Sequence, residues 1–167
     1  MNAYARPRAG GGLPPDGARS PEVAACAGTR TGGLRLAGYA ALFGIADAAG
    51  DTIRPGAFAR TLAERRAGLL GPLPLLWQHR AGARIGWVER VSEDARGLRI
   101  VARLDNLDHR AAAMLRTHSV NGLSFGYHAR AASRSGAGRL LEEIELVEIS
   151  LVTHPLQPAA RVHFVSP

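Results

Sequence analysis

Apolar and polar residues alternate along several stretches of the chain, a pattern typical of β-strands with one buried face. The clearest stretch is 98–104, where Leu, Ile and Ala residues alternate with arginines at positions 99 and 103. It predicts a half-buried strand that forms a hairpin with residues 84–91. A longer, mainly apolar stretch at 140–152 predicts the last long strand. Three further stretches also predict strands: 34–43, 73–79 and 121–127.

Two segments have the features of short helices. Residues 55–66 begin with Pro55, which suits a first helical turn. Residues 106–118 have Asp108 as a predicted N-cap and Leu115 on a predicted core-facing stripe. Six strands and two helices predict an α+β fold that is rich in β-structure.

Residues 1–30 differ in composition from the rest of the chain. They are rich in Gly, Pro, Ala and Arg, as in the glycine triplet 10–12 and the pair Pro14-Pro15. Such a segment offers little apolar surface to offset the entropy of ordering the chain. We therefore expect a flexible N-terminal extension over 1–30. Residues 31–167 are expected to form one domain, large enough for its own hydrophobic core.

Charge and cysteine content narrow the function classes. The formal net charge is +7 and all 21 basic residues are arginines, but no run is longer than Arg65-Arg66. Scattered arginines are a weak signal for nucleic-acid binding. The single cysteine, Cys26, excludes an internal disulfide and a cysteine-based zinc cluster. No apolar run approaches the roughly 20 residues of a membrane span, so we expect a soluble, intracellular protein.

Ser124 is the first candidate for chemistry. On a strand it shares one face with Gly122 and Gly126, so that no neighbouring side chain on that strand covers its hydroxyl. A glycine in a strand often marks a place where another chain or a ligand approaches closely. The stretch therefore fits a nucleophile that attacks a peptide carbonyl. The alternative is a bent barrel strand with an idle serine.

His79 and Glu148 are the candidates for a base and an orienting group. His79 ends an apolar strand, on the face of Leu75 and Trp77, and an imidazole suits proton transfer at neutral pH. The alternative is a surface histidine at a strand end. Glu148 lies between Val147 and Ile149, where a carboxylate must be paired if it is buried. Its partner could be the ring of His79 or a structural arginine.

Other familiar sites are absent from the sequence. There is no Gly-x-Ser-x-Gly elbow, phosphate loop, dinucleotide fingerprint or His-Glu-x-x-His motif, and the six histidines are dispersed. We expect no cofactor and no metal. A serine, a histidine and a carboxylate on separate strands are the parts of a catalytic triad.

Seven short motifs follow one another between residues 38 and 155. They are GYAALF (38–43), DTIRPGAF (51–58), LLWQH (75–79), IG (85–86), RGL (96–98), VNGLSFGY (120–127) and EISLV (148–152), with Pro155 shortly after. Each is weak alone. In this order they resemble the prohead (procapsid) maturation proteases of tailed phages of the HK97 type, including those of phage-derived gene transfer agents.

The resemblance implies a serine endopeptidase related in fold to the herpesvirus assembly proteases (assemblins), a β-barrel with flanking helices. Carried over by position, Ser124 is the nucleophile and His79 the general base. The phage pattern has an acidic residue at Glu148, which makes it the third member. Herpesvirus relatives use a second histidine instead, for which His128 and His154 are the alternatives.

The resemblance also implies a biological role. Such proteases are packaged inside the immature capsid in the cytoplasm of the bacterial host, cut the scaffold or N-terminal segment of the major capsid protein, and cleave themselves. The expected partners are therefore the major capsid protein with its scaffold segment, the chain itself, and a homodimer as in herpesvirus relatives. No membrane or specific nucleic acid is expected. The alternative is a catalytically inactive scaffold or capsid-binding module of the same fold.

Overall fold

The computed structural model describes residues 33–136 and 138–167, so the expected extension over 1–30, which includes Cys26, lies outside the described residues. Over this part of the chain there are eight strands and two helices. In chain order the elements are β1 (Leu34–Leu42), β2 (Asp51–Ile53), α1 (Ala59–Arg66), β3 (Pro74–Trp77), β4 (Arg84–Glu93), β5 (Gly97–Leu104), α2 (Arg110–Arg116), β6 (Gly122–Ser135), β7 (Gly138–Val152) and β8 (Val162–Ser166).

The described strands form one sheet in which β7 has the most partners. The order is β2-β7-β3-β4-β5-β1-β8, and β6 also pairs with β7. β2 and β3 run parallel to β7 and pair with its two ends, whereas β6 runs antiparallel along the full length of its other edge. The sheet curls into a half-barrel. The predicted β-rich α+β class is confirmed.

The core forms where the alternating pattern predicts it. β4 and β5 pair as an antiparallel hairpin, and Leu98, Ile100 and Leu104 on the inner face of β5 are fully buried. Phe58 packs edge-on against Phe125 of β6, with 5.4 Å between the ring centroids. Full burial of one such side chain stabilises the fold by about 1.5–3 kcal/mol. This core packs against the part of the sheet that contains β3, β6 and β7.

Both helices begin later than the sequence predicts. α1 begins at Ala59 instead of position 55, because Gly56 has a φ of 87°, which is incompatible with a right-handed helix. α2 begins at Arg110, and its N-cap is His109, whose Nδ1 accepts a hydrogen bond from the Ala111 N–H. The prediction of Asp108 as the cap is wrong.

The strand predictions also need correction. The short strands β2 and β8 were not predicted. The last two predicted strands are longer than expected, since β6 extends to Ser135 and β7 begins at Gly138. β3 is shorter than expected and ends at Trp77, two residues before His79.

Candidate active site

Strand β7 places the candidate residues near one another, because it pairs with both β3 and β6. Ser150 lies opposite Leu76 of β3 and opposite Ser124 of β6. Glu148, two residues earlier on β7, shares the face of Ser150 and lies opposite Gly126. Directly opposite residues in an antiparallel pair have Cβ atoms about 4.5–5.5 Å apart. The segments that carry the base and the nucleophile candidates therefore lie on either side of the strand that carries the carboxylate candidate.

His79 lies in a turn that leaves the sheet directly after β3. Gln78 and His79 have φ values of 55° and 57°, in the left-handed region that residues other than glycine seldom adopt. The Gln78 N–H still donates to the carbonyl of Leu151, whereas the His79 N–H donates to the hydroxyl of Ser150 at 3.1 Å. The expectation that His79 continues the strand on the face of Trp77 is wrong. Its side chain is instead 44% exposed.

The ring of His79 is hydrogen-bonded to Glu148. Its Nδ1 lies 2.7 Å from Oε1 of Glu148, a residue that is only 7% exposed. The other carboxylate oxygen, Oε2, accepts a hydrogen bond from the hydroxyl of Ser150 at 2.8 Å. Burial of a carboxylate without donors costs several kcal/mol, which these two hydrogen bonds offset. The partners of Glu148 are thus a histidine and a serine, whereas the alternative expectation was an arginine.

The glycines beside Ser124 make room for parts of this site. A Cβ at Gly126 would lie 2.5 Å from Oε1 of Glu148, and a Cβ at Gly122 would lie 2.8 Å from the ring of Pro155. The carboxylate and the proline ring therefore fill the space that the missing side chains leave. Ser124, between the two glycines, is 7% exposed. The setting of this serine is thus more enclosed than the sequence predicted, although its hydroxyl is not one of the fully buried, unpaired polar atoms of the described residues.

Ser124 itself is close to the pair but not bonded to it. Among the described residues, none forms a hydrogen bond with its hydroxyl, His79 included. Ser124 borders a small pocket that is also lined by Tyr127, Leu156 and Gln157. Hydrogen bonds between catalytic groups are often long in unliganded enzymes and shorten when substrate binds. The arrangement thus provides an oriented imidazole one strand away from a candidate nucleophile.

Two other site types can be assessed over the described residues. No group of three or more His, Cys, Asp and Glu side chains in this part of the chain is placed to hold a metal ion. Neither described helix has the length and apolarity that crossing a membrane requires.

Comparison with known proteins agrees with the motif pattern. The family described as caudovirus prohead serine protease matches residues 22–166. The chain belongs to this family. A search of curated protein sequences gives no match.

The prohead protease fold is also found in solved viral proteases. One is the KSHV protease, solved in complex with a hexapeptide phosphonate inhibitor, with a TM-score of 0.56 and 15% identity. The match covers 81% of this chain and 65% of the KSHV protease chain. The bacteriophage T4 capsid assembly protease, gp21, has a TM-score of 0.58 and 16% identity, covering 72% of this chain and 81% of its own. At these identities the likeness concerns the fold, and it confirms the predicted assemblin-like architecture.

Among the described residues, neither alternative third member is hydrogen-bonded to the His79 ring. His128 is exposed on β6, opposite Glu145 of β7. His154 is exposed in the turn that follows β7. Within the described residues, the hydrogen bond of the His79 ring is to Glu148.

Sequence reasoning missed the part that Ser150 plays. The strand pattern places Ser150 on the face of Glu148, but gives no reason to connect it with His79. Ser150 is fully buried and bonded to both residues. The signal that could have found it is a buried hydroxyl two positions after a buried carboxylate on the same strand face.

Proposed function

We propose that this chain is a serine endopeptidase in which Ser124 is the nucleophile, His79 the general base and Glu148 the group that orients the base. The observation that carries the proposal is the 2.7 Å hydrogen bond between His79 and Glu148, in a member of the prohead serine protease family. It supplies a buried carboxylate that holds an imidazole in one orientation. Ser124 lies on the adjacent strand, opposite Ser150.

The mechanism follows from the role of each atom. With Nδ1 of His79 donating to Glu148, Nε2 carries the lone pair and accepts the proton of the Ser124 hydroxyl. The serine oxygen attacks the scissile carbonyl, and His79 then passes the proton to the departing amine. Water hydrolyses the acyl-enzyme by the same steps. The Ser124 hydroxyl and Nε2 of His79 must come within hydrogen-bond reach when substrate binds, since catalytic hydrogen bonds often form fully only in the substrate complex.

The proposed substrates follow from the family. We infer that the protease cuts the scaffold or N-terminal segment of the major capsid protein inside the immature capsid, in the host cytoplasm, and that it also cleaves itself. Phage and gene-transfer-agent capsids are both consistent with this assignment. The T4 relative is described as a capsid assembly protease, which supports a capsid protein as the partner.

Co-expression with the cognate major capsid protein tests the proposal. The wild-type chain should shorten the capsid protein, and Ser124→Ala should abolish the shortening because the attacking oxygen is lost. Ser92→Ala, at an exposed serine of β4, is the matched control and should process normally. Gel electrophoresis and intact-mass measurement of the capsid protein provide the readout.

The same experiment separates the proposal from its alternative. Processing that persists in Ser124→Ala would refute the nucleophile assignment. If the wild-type chain binds the capsid protein in a pull-down but leaves it uncut, the chain is instead the inactive capsid-binding module.

A further inference from the structure

The hydroxyl of Ser150 connects two members of the proposed triad. It donates to Oε2 of Glu148 at 2.8 Å and accepts from the backbone N–H of His79 at 3.1 Å. A hydroxyl has one proton, so donation to the carboxylate leaves its lone pairs for the N–H group. The Ser150 hydroxyl therefore uses its proton on Glu148 and a lone pair on His79. Because Ser150 is fully buried, water does not compete for either role.

The hydrogen bond to His79 supports an unusual backbone conformation. Gln78 and His79 are both left-handed, which directs the chain away from the parallel pairing of β3 with β7. The Gln78 N–H still reaches a carbonyl of β7, but the His79 N–H does not and is bonded to the Ser150 side chain. Strained conformations of this kind persist only where the surroundings hold them. Ser150 supplies such a contact at the residue that bears the base.

The hydrogen bond to Glu148 fixes the carboxylate. Oε1 is bonded to the His79 ring and Oε2 to Ser150, so both oxygens have a donor and rotation about the last side-chain bond is restricted. Gly126 bounds the carboxylate on the side of β6. If the Ser150 hydroxyl were removed, Oε2 would lose its donor at a buried position, and the carboxylate could turn away from the imidazole.

We propose that Ser150 is a positioning residue, which holds the Glu148 carboxylate and the His79 turn in the geometry that proton transfer requires. Its effect on catalysis rests on the proposed function, while its effect on the His79–Glu148 hydrogen bond does not. Ser150 acts through its neighbours and touches no substrate, because it is enclosed between β3 and β6.

Steady-state kinetics with a peptide substrate test the catalytic part. Ser150→Ala should lower kcat by roughly 10- to 100-fold, the effect of one hydrogen bond to a charged group, with KM changed less than about threefold. Thr61→Val is the matched control, because Thr61 is also fully buried and its hydroxyl accepts from the Leu146 N–H at 3.3 Å, away from the site. It should lose stability but keep kcat. Equal kcat for Ser150→Ala and wild type would overturn the proposal.

A double-mutant cycle tests whether Ser150 acts through Glu148. In a Glu148→Ala background, Ser150→Ala should lower kcat by a smaller factor than in the wild-type background, because only its hydrogen bond to the His79 N–H is left to lose. The same fold-loss in both backgrounds would contradict the proposal. If circular dichroism shows that Ser150→Ala is unfolded, Ser150→Cys replaces it in the kinetic test. The thiol has nearly the same volume as the hydroxyl but is a weak hydrogen-bond donor. A folded Ser150→Cys with wild-type kcat would refute the role.

Proton NMR of the His79 ring gives a readout that needs no proteolysis. The Nδ1–H proton in its hydrogen bond to Glu148 should give a slowly exchanging low-field signal in the wild type, in Ser124→Ala and in Thr61→Val. The signal should broaden or disappear in Ser150→Ala. Its retention there would overturn the positioning role, whatever the activity of Ser124→Ala. Proteolysis that survives Ser124→Ala would instead refute the proposed function.

Discussion

At Glu148, burial makes the free energy of the charged carboxylate less favourable, and hydrogen bonding makes it more favourable. The residue lies between two apolar neighbours on β7 and is only 7% exposed. Its carboxylate is bonded to His79 and Ser150. Burial of the charged form is unfavourable, and the two donors recover that free energy only in one geometry. At the residue scale, the site is thus a buried acceptor whose donors determine its orientation.

Glu148→Gln tests the acceptor directly. The amide keeps the shape but cannot act as an anion towards the imidazolium that forms during the reaction, so kcat should fall by roughly 10²- to 10⁴-fold. Glu145→Gln is the control, because Glu145 lies on the same strand and pairs with Arg130 at a partly exposed position. Such pairs contribute about 0–1 kcal/mol, so capsid-protein cleavage rates should stay near wild type. A large loss in Glu145→Gln alone would exclude Glu148 as the third member.

Gly126→Ala tests the space that the carboxylate occupies. A Cβ there would lie 2.5 Å from Oε1 of Glu148, so the carboxylate would have to leave its place beside the His79 ring. We expect an activity loss in capsid-protein cleavage of about tenfold or more, with destabilisation of about 1–3 kcal/mol by chemical denaturation. Gly71→Ala is the control, because a Cβ at Gly71 would meet nothing within 4 Å. Normal cleavage by folded Gly126→Ala would show that the carboxylate position is not required.

At the scale of elements, a buried carboxylate holds the three-residue strand β2 in the sheet. Asp51 is 5% exposed and accepts two hydrogen bonds from Arg139 of β7 and one, at 2.9 Å, from the hydroxyl of Tyr127 on β6. The Arg139 guanidinium holds the pKa of Asp51 below its ordinary value, although burial opposes this shift. Burial, together with the hydrogen bond to Asp51, raises the pKa of Tyr127 to about 12.

The stability of the protein should therefore depend on Asp51 in acid. Because folding lowers the pKa of Asp51, its contribution is complete above the ordinary value of 3.8 and is lost as the pH falls through the lower folded pKa. Asp51→Asn should lower the free energy of unfolding at pH 7 by about 1–2 kcal/mol, a modest value because Arg139 is half exposed. The stability of this variant should fall less steeply than that of the wild type below about pH 4.

Urea denaturation at several pH values measures both effects. Asp108→Asn is the control, because Asp108 is exposed and does not cap α2. It should follow the wild-type acid profile with a difference of no more than about 0.5 kcal/mol. Parallel acid profiles for Asp51→Asn and the wild type would argue against a buried, ionised Asp51.

For the whole molecule, the alternating pattern predicted the long strands and their buried faces. This was possible because the alternation is visible within the sequence of each strand, without knowledge of its partner strand. The inner face of β5, with Leu98 and Leu104, is an example. β2 escaped prediction because it is held by tertiary pairing and by Asp51, which local propensity does not reveal.

Some features of the candidate site could likewise be predicted from the sequence, and others could not. The motifs and the family resemblance pointed to Ser124, His79 and Glu148, and the burial argument required a donor for Glu148. The left-handed conformation of His79 and the bridging hydroxyl of Ser150 could not be predicted, because both depend on how β3 lies against β7. Gly126 was predicted to open the site to substrate, but its missing side chain admits the carboxylate instead.

The dependence of the site on β7 has a consequence for the time at which the chain gains activity. The bonds from His79 to Glu148 and Ser150 span 69 and 71 positions of sequence, and they exist only when β3 has paired with the last long strand. A chain that emerges from the ribosome therefore has its histidine well before β7 is available to orient it. Under the proposed function, completion of the fold must therefore precede any cleavage by this chain.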